Sequence, residues 1–201
     1  MFTYCLNRPI TAVDSSGSRT YFINGISNDG EDSPEYADNF AKAMGEQNVD
    51  DVILIPVYTN QDTIVKTAVG AIEVALEMCN VDVYTGEVVN AILADLENNP
   101  LKDGEQINIV GYSGGGQIAL NAMEVLGDQV DNVILIGTPV MEIFKTRTKI
   151  SMIYAGYDVL SWNLTIGVEQ YFGGWYGYGG YFSVSNIENT VSTVKKILGK
   201  A

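Results

Sequence analysis

Short apolar runs alternate with amphipathic stretches along the whole of this 201-residue chain. Five of the apolar runs have the length of buried strands, and the stretches between them carry apolar residues at helical spacing. The predicted strands cover residues 20–25, 51–57, 107–111, 131–137 and 149–156. The predicted helices cover residues 32–45, 83–100, 115–127 and 186–199. Because strands that alternate with helices form a parallel sheet covered on both sides, the pattern predicts an α/β fold, a three-layer α/β/α sandwich with a mostly parallel sheet.

The stretch INIVGYSGGGQIAL predicts a buried strand that runs through a tight turn into a helix. At the turn, Ser113 stands between glycines, which permit a strained backbone that exposes a serine at the C-terminal edge of a sheet. The N–H of Gly114, at the start of the helix, would face the oxyanion that forms when Ser113 attacks a carbonyl carbon. We predict the N–H of Ile26 as the second donor, since Gly25 beside it lets the chain approach closely.

The composition removes the usual partner of such a serine, because the chain contains no histidine. A serine hydroxyl is a poor nucleophile at neutral pH and normally needs an adjacent base, most often an imidazole. Ser113 therefore either reacts by unusual chemistry or does not react.

The segments FINGIS, INIVGYSGGGQIALNAM, VDNVILIGTPV and KISMIYAGYDVLS occur in the order and spacing of the α/β-hydrolase fold. Over residues 20–198 the chain resembles this family, especially the small bacterial lipases and esterases that lack a large cap. The resemblance implies that Ser113 is the nucleophile and that Asp158 is the acid of a catalytic triad. It also implies that the N–H groups of Ile26 and Gly114 form the oxyanion hole.

The sequence departs from the family at the triad histidine, which the family places between the acid and the last helix. The matching position here is Tyr181. A phenol with an ordinary pKa of about 10 is protonated at neutral pH, and a carboxylate with a pKa of about 4 is a weak base for a serine hydroxyl. Three alternatives stay open: a binding protein that keeps the pocket without turnover, an inactivated variant in which histidine was replaced, and an active carboxylic-ester hydrolase with an unidentified base.

Two further segments bear on the ligand. Residues 63–79 carry only three charged side chains, too few for a freely solvated helix. We interpret this segment as a helix that packs on the core, meets another copy in a homo-oligomer, or forms a lid within residues 60–85.

Residues 163–182 concentrate aromatic side chains among glycines. We interpret this segment as an irregular loop, either packed or forming a flexible aromatic wall beside the nucleophile. Trp175 and Tyr178 of this segment, together with Asn24 and Tyr112, are predicted to bind substrate.

The charge and composition limit the partners. The balance of 11 basic and 25 acidic residues gives a net charge of −14, which repels nucleic acid and anionic membranes. The predicted partner is a small ester or apolar ligand, without a cofactor, and the absence of histidine and of clustered cysteine gives no support for a metal. Cys5 and Cys79 could pair or stay as separate buried thiols. No signal peptide or transmembrane run is visible, which favours a cytoplasmic location.

Overall fold

One parallel sheet forms the centre of the fold. The computed structural model describes residues 18–25, 39–44, 51–55, 57, 73–79, 81–139, 147–158, 168–177, 180–183 and 185–199. The strands are β1 (Ser18–Ile23), β2 (Asp51–Ile55), β3 (Gln106–Tyr112), β4 (Asn132–Ile136), β5 (Lys149–Tyr157) and β6 (Glu169–Gly177). They lie in the order β2-β1-β3-β4-β5-β6, and every neighbouring pair is parallel.

Helices cover both faces of this sheet. They are α1 (Thr85–Asn98), α2 (Gly114–Leu126) and α3 (Ile187–Ile197), and residues 39–44 and 73–78 are also helical. Buried side chains of α1 and α2 belong to one apolar cluster, and those of α3 and residues 39–44 belong to another. The two clusters lie on opposite faces of the sheet, and the predicted three-layer α/β/α sandwich is confirmed.

The alternation of side chains along β3 shows why the strand sequences are almost continuously apolar. Ile107 and Ile109 pack into the cluster beneath α1 and α2, whereas Val110 and Tyr112 pack into the cluster beneath α3. Successive side chains of a strand point to opposite faces. A strand buried on both faces therefore has few positions for polar residues.

The sixth strand corrects the interpretation of residues 163–182 as an irregular loop, which is wrong for Glu169–Gly177. β6 pairs with β5 from Ser151 opposite Glu169 to Tyr157 opposite Gly177, with register shifts on both sides of Ala155. The glycines that suggested a loop are accommodated at these irregularities. The aromatic residues between them favour strands, and this preference decides the structure.

The segment interpreted as a lid or oligomer contact is described only from residue 73 onward. Residues 73–78 are helical, with Val74 and Glu77 buried. Cys79, at the end of this stretch, is exposed and free, whereas Cys5 lies outside the described residues. The lid and oligomer roles stay predictions. In the part of the chain that the structure describes, no helix is long and apolar enough to cross a membrane.

Candidate active site

Ser113 lies at the turn between β3 and α2 with a strained backbone, but it is buried, with 4% of the residue exposed, and the prediction that the turn exposes it is wrong. Its φ and ψ are 54° and −124°, and it is the one non-glycine residue with positive φ among the described residues. Its N–H donates to the carbonyl of Ile136 at 2.9 Å, and its carbonyl accepts from the N–H of Gly116 at 3.0 Å. A side chain in such a conformation costs about 1–3 kcal/mol and persists only where the surrounding structure enforces it.

Close backbone approach around the turn supplies that enforcement. A Cβ at Gly25 would lie 2.5 Å from the Cβ of Ser113 and 3.1 Å from its Oγ. A Cβ at Gly115 would lie 2.3 Å from the carbonyl oxygen of Asn24. The end of β1 therefore passes directly beside the serine, and side chains at Gly25 and Gly115 are excluded.

The predicted oxyanion donors are described in part. Gly114 is the first residue of α2, and the N–H of the first residue of a helix has no acceptor within its own helix. Ile26 lies outside the described residues, although Gly25, which precedes it, reaches the serine hydroxyl. The oxyanion role of both residues stays a prediction.

Asp158 and Tyr181 form a buried hydrogen-bonded pair. Asp158 follows the end of β5, and Tyr181 lies in the short 3₁₀ turn Gly180–Phe182 between β6 and α3. Both side chains are fully buried, and the Tyr181 hydroxyl donates to Asp158 Oδ2 at 2.7 Å.

Gly137 connects this pair to the serine turn. A Cβ at Gly137, where φ is 54°, would lie 2.6 Å from Tyr181 Cε2 and 3.2 Å from Asp158 Oδ2. Gly137 directly follows Ile136, whose carbonyl receives the N–H of Ser113. The pair therefore packs against the backbone that supports the serine.

Ring packing fixes Tyr181 in place. Its ring makes edge contacts with Tyr112 and Tyr176 at centroid distances of 6.1 and 5.0 Å, and its carbonyl accepts from Thr190 Oγ1 at 2.8 Å. Because its hydroxyl proton is directed at Asp158, the phenol is arranged as a donor and not as a base. Burial raises the pKa of Tyr176, so the neighbouring phenol also stays protonated at neutral pH.

Two of the four predicted substrate-binding residues, Asn24 and Tyr112, lie beside the serine turn, since β1 pairs with β3 up to Ile23 opposite Gly111. Asn24 is buried and holds the backbone, since its Oδ1 accepts from the N–H of Val57 at 2.6 Å. Tyr112 is buried, with its ring 4.9 Å from that of Phe182. Trp175 is 72% exposed, and Tyr178 lies outside the described residues. A substrate role for these four residues stays a prediction.

One support of the turn was not recognised in the sequence. Thr138 is fully buried, and a Cβ at Gly116 would lie 2.0 Å from its Oγ1 and 2.4 Å from its Cγ2. Thr138 follows β4 within the segment GTP, and this position after a strand is the signal that could have indicated it. The described residues hold no group of three or more Cys, Asp or Glu side chains arranged for a metal ion.

Comparison with known proteins defines the fold. No protein-family model and no curated protein matches the chain, but solved structures do. A YdeN-like hydrolase from Pectobacterium atrosepticum has 10% identity and a TM-score of 0.58, with 92% of this chain and 93% of that chain covered. A CIB-like hydrolase from Thermoplasma acidophilum has 16% identity and a TM-score of 0.56, with 93% and 89% covered. An esterase from Pyrococcus furiosus has 12% identity and a TM-score of 0.57, with 93% and 84% covered.

These similarities agree with the strand order of the sheet. The chain has a fold of the α/β-hydrolase type, as its sequence motifs predicted. The similar structures are described as hydrolases and esterases. Identities of 10–16% establish the shared fold and leave the activity of this chain to be argued from its own residues.

Proposed function

We propose that this chain is a serine-hydrolase-like protein of carboxylic-ester-hydrolase ancestry, in which Ser113 is the nucleophile. The observation that carries the proposal is the strained backbone of Ser113 between β3 and α2, with φ of 54°. Strain of this kind is found where a side chain must be presented for chemistry. In this proposal an acyl carbonyl lies against Ser113 Oγ, and the N–H groups of Gly114 and Ile26 stabilise the oxyanion.

The position of the pair Tyr181–Asp158 supports the same ancestry. Asp158 follows β5, and Tyr181 lies between β6 and α3, which is the chain order expected of a triad acid and base. The hydrogen bond between them is the one that an imidazole and a carboxylate would make. A tyrosine therefore stands where the base would be.

The missing base limits the expected rate. Oxyanion donors and binding alone retain about 10³–10⁴-fold acceleration over the uncatalysed reaction when a triad member is lost. We therefore expect slow acylation of Ser113 by reactive esters and little turnover of ordinary ones. The attack would form the bond from Ser113 Oγ to the acyl carbon, and the alkoxide or phenolate would leave and take up the serine proton through water.

A second candidate function is binding without turnover. The observation that favours it is the direction of the Tyr181 hydroxyl, which donates to buried Asp158 and is not free to accept a proton from Ser113 in that geometry. In this alternative the site holds a small acyl or apolar ligand.

A fluorophosphonate probe distinguishes the two candidates, because oxyanion donors that accelerate the acylation of Ser113 should also accelerate its phosphonylation. If the chain is a serine-hydrolase-like protein, we expect stoichiometric labelling that maps to Ser113 and is lost in Ser113→Ala. The matched control is Ser183→Ala, which should keep the labelling. Hydrolysis of p-nitrophenyl acetate should follow the same pattern. Labelling no faster than that of free serine, in a protein whose circular dichroism shows it folded, would leave binding as the function.

A further inference from the structure

Four aromatic rings form a continuous cluster on β5 and β6, which we call the aromatic platform: Tyr154, Tyr157, Phe172 and Trp175. The centroid distances are 5.6 Å from Tyr154 to Phe172, 5.2 Å from Phe172 to Trp175, and 5.6 Å from Trp175 to Tyr157. Trp175 is 72% exposed and Tyr157 68%. Exposed aromatic side chains in contact with one another indicate a binding surface more strongly than scattered ones.

The backbone holds the indole of Trp175 with one face outward. A Cβ at Gly156 would lie 2.3, 2.7 and 3.0 Å from Cε3, Cζ3 and Cδ2 of this indole. Short distances to three adjacent ring atoms place that point over the ring face and not at its edge. One face of the indole therefore rests on the backbone of β5 at Gly156, and the opposite face is turned to solvent.

The rings of Tyr157 and Phe172 are inclined to this indole by 55° and 69° and stand beside it. The platform therefore has the exposed indole of Trp175 as its floor, in contact with two rings that are steeply inclined to it. Such a floor fits a ring whose two faces carry C–H groups and whose rim carries polar groups, because the C–H face stacks on the indole while the rim stays solvated.

The platform lies at the carboxyl edge of the sheet, as the serine turn does. Pairing between β4 and β5 ends at Ile136 opposite Ile153, whereas pairing between β5 and β6 continues to Tyr157 opposite Gly177. The two strands thus extend about 13 Å beyond the carboxyl end of β4, at a rise of about 3.3 Å per residue. Ser113 follows the carboxyl end of β3 at that same edge.

The charge of the protein limits which ring-containing ligand can bind to the platform. The chain has a net charge of −14, yet residues 150–157 and 170–177, which form the platform, contain no charged side chain. A polyanion would be repelled by the protein as a whole. An uncharged polymer of pyranose rings meets neither repulsion nor an unpaired charge at this surface.

We propose that the aromatic platform binds a neutral polysaccharide, with one pyranose ring stacked on the indole of Trp175. Binding of the saccharide stands on the platform alone. Its use as the carrier of an ester presented to Ser113 rests on the proposed function, and an acylated neutral polysaccharide is then the substrate class.

Affinity electrophoresis in gels that contain xylan or hydroxyethyl cellulose tests the binding. We expect at least one of these polysaccharides to retard the protein, Trp175→Ala to lose the retardation, and Trp175→Tyr to keep part of it. Val125→Ala on α2 is the matched control, because Val125 is 65% exposed and lies outside the platform. Titration with xylohexaose or cellohexaose should show at least a tenfold weaker affinity for Trp175→Ala.

Three results would overturn the proposal: no retardation by either polysaccharide, equal retardation of Trp175→Ala, or Trp175-dependent binding only to phosphatidylcholine vesicles or to a second copy of the chain in sedimentation. Gly156→Ala is an independent variant, since it displaces the indole without removing it and should also weaken retardation. Fluorophosphonate labelling of Ser113 in the native chain is measured separately from retardation, so failure of the saccharide proposal is distinguishable from failure of the proposed function.

Discussion

Replacement of Glu77 by glutamine should destabilise the protein far more than the loss of an exposed carboxylate does. The Glu77 side chain is fully buried. Its Oε1 accepts from the N–H groups of Val83, Tyr84 and Thr85 at 2.9, 2.6 and 3.1 Å. Its Oε2 accepts from Thr85 Oγ1 and from Asn121 Nδ2, both at 2.7 Å. The carboxylate thus joins residues 73–78 and the start of α1 to α2, the helix that begins at the serine turn.

The magnitude follows from these bonds. A glutamine can keep its oxygen toward the three backbone N–H groups, but its amide nitrogen then faces the Asn121 amide, which is also a donor. Asn121 cannot turn over freely, because its Oδ1 accepts from Gln117 Nε2 at 2.9 Å. The loss of one charged hydrogen bond at about 1.5–3 kcal/mol, and the weakening of the others, gives about 3 kcal/mol. For a chain of this size that corresponds to a decrease in Tm of about 6–12 °C.

The pH dependence gives an independent check of the same network. Burial by itself raises the pKa of Glu77, but the hydrogen bonds from the Tyr84 backbone, the Thr85 hydroxyl, the Val83 backbone and Asn121 outweigh it, and the pKa is lowered. A lowered pKa in the folded protein means that the ionised group stabilises the fold above its unfolded pKa and loses this contribution as the pH falls through the folded value. The difference between the native chain and Glu77→Gln should therefore shrink below about pH 4.

Urea unfolding at pH 7 and at pH 3.5 measures both effects. Glu87→Gln is the matched control, because Glu87 is exposed in the first turn of α1 and its charge contributes about 0.5 kcal/mol through the helix dipole. A destabilisation by Glu77→Gln no larger than that of Glu87→Gln at pH 7 would refute the reasoning. So would a difference that grows on acidification.

Three further substitutions test the serine turn. Tyr181→His should raise kcat/KM for p-nitrophenyl acetate, by an amount that cannot exceed the roughly 10⁶-fold lost when a triad histidine is removed. The pH profile should rise near the ordinary imidazole pKa of about 6.5. No change, or an increase that survives Ser113→Ala, would contradict this. Ser113→Gly should be about 1 kcal/mol more stable than Ser113→Ala in urea unfolding, because glycine adopts the positive φ of this position without strain and alanine does not. Equal stabilities of the two variants would argue against backbone strain at residue 113. Gly116→Ala should destabilise the protein by about 3 kcal/mol, because the new Cβ clashes with Thr138. The same substitution should cost less in a Thr138→Ala background. Strictly additive effects of the two substitutions on the free energy of unfolding would exclude the clash.

Much of the fold could be predicted because its signals are local. The five predicted strands and the helices α1, α2 and α3 were found from apolar periodicity within single segments. β6 was missed because Gly173, Gly174 and Gly177 suggested a loop, and only its pairing with β5 resolves the ambiguity. Strand pairing is a long-range property that one segment does not encode.

The same difference between local and distant signals applies to the candidate active site. The turn at Ser113 was predicted from adjacent residues, whereas its supports are distant in the chain. Thr138 packs on Gly116 from beyond the next strand, and Asn121 meets Glu77 across 44 positions. Neither contact has a local signature, since a buried threonine or glutamate looks in the sequence like a solvated one.

The strained turn and the base position are maintained by different forces, which is why labelling and turnover are expected to separate. Gly25, Gly115 and Gly116 bring backbone and Thr138 so close to the turn that the conformation of Ser113 is enforced by packing, whether or not it reacts. Tyr181 is held by ring contacts and by its bond to Asp158, in the second apolar cluster. A tyrosine there fills its volume and satisfies the buried carboxylate, so the base can be absent without a cavity or an unpaired charge. Stability alone therefore accounts for the tyrosine at the base position, whereas the strained serine at residue 113 costs stability and needs another reason to be kept.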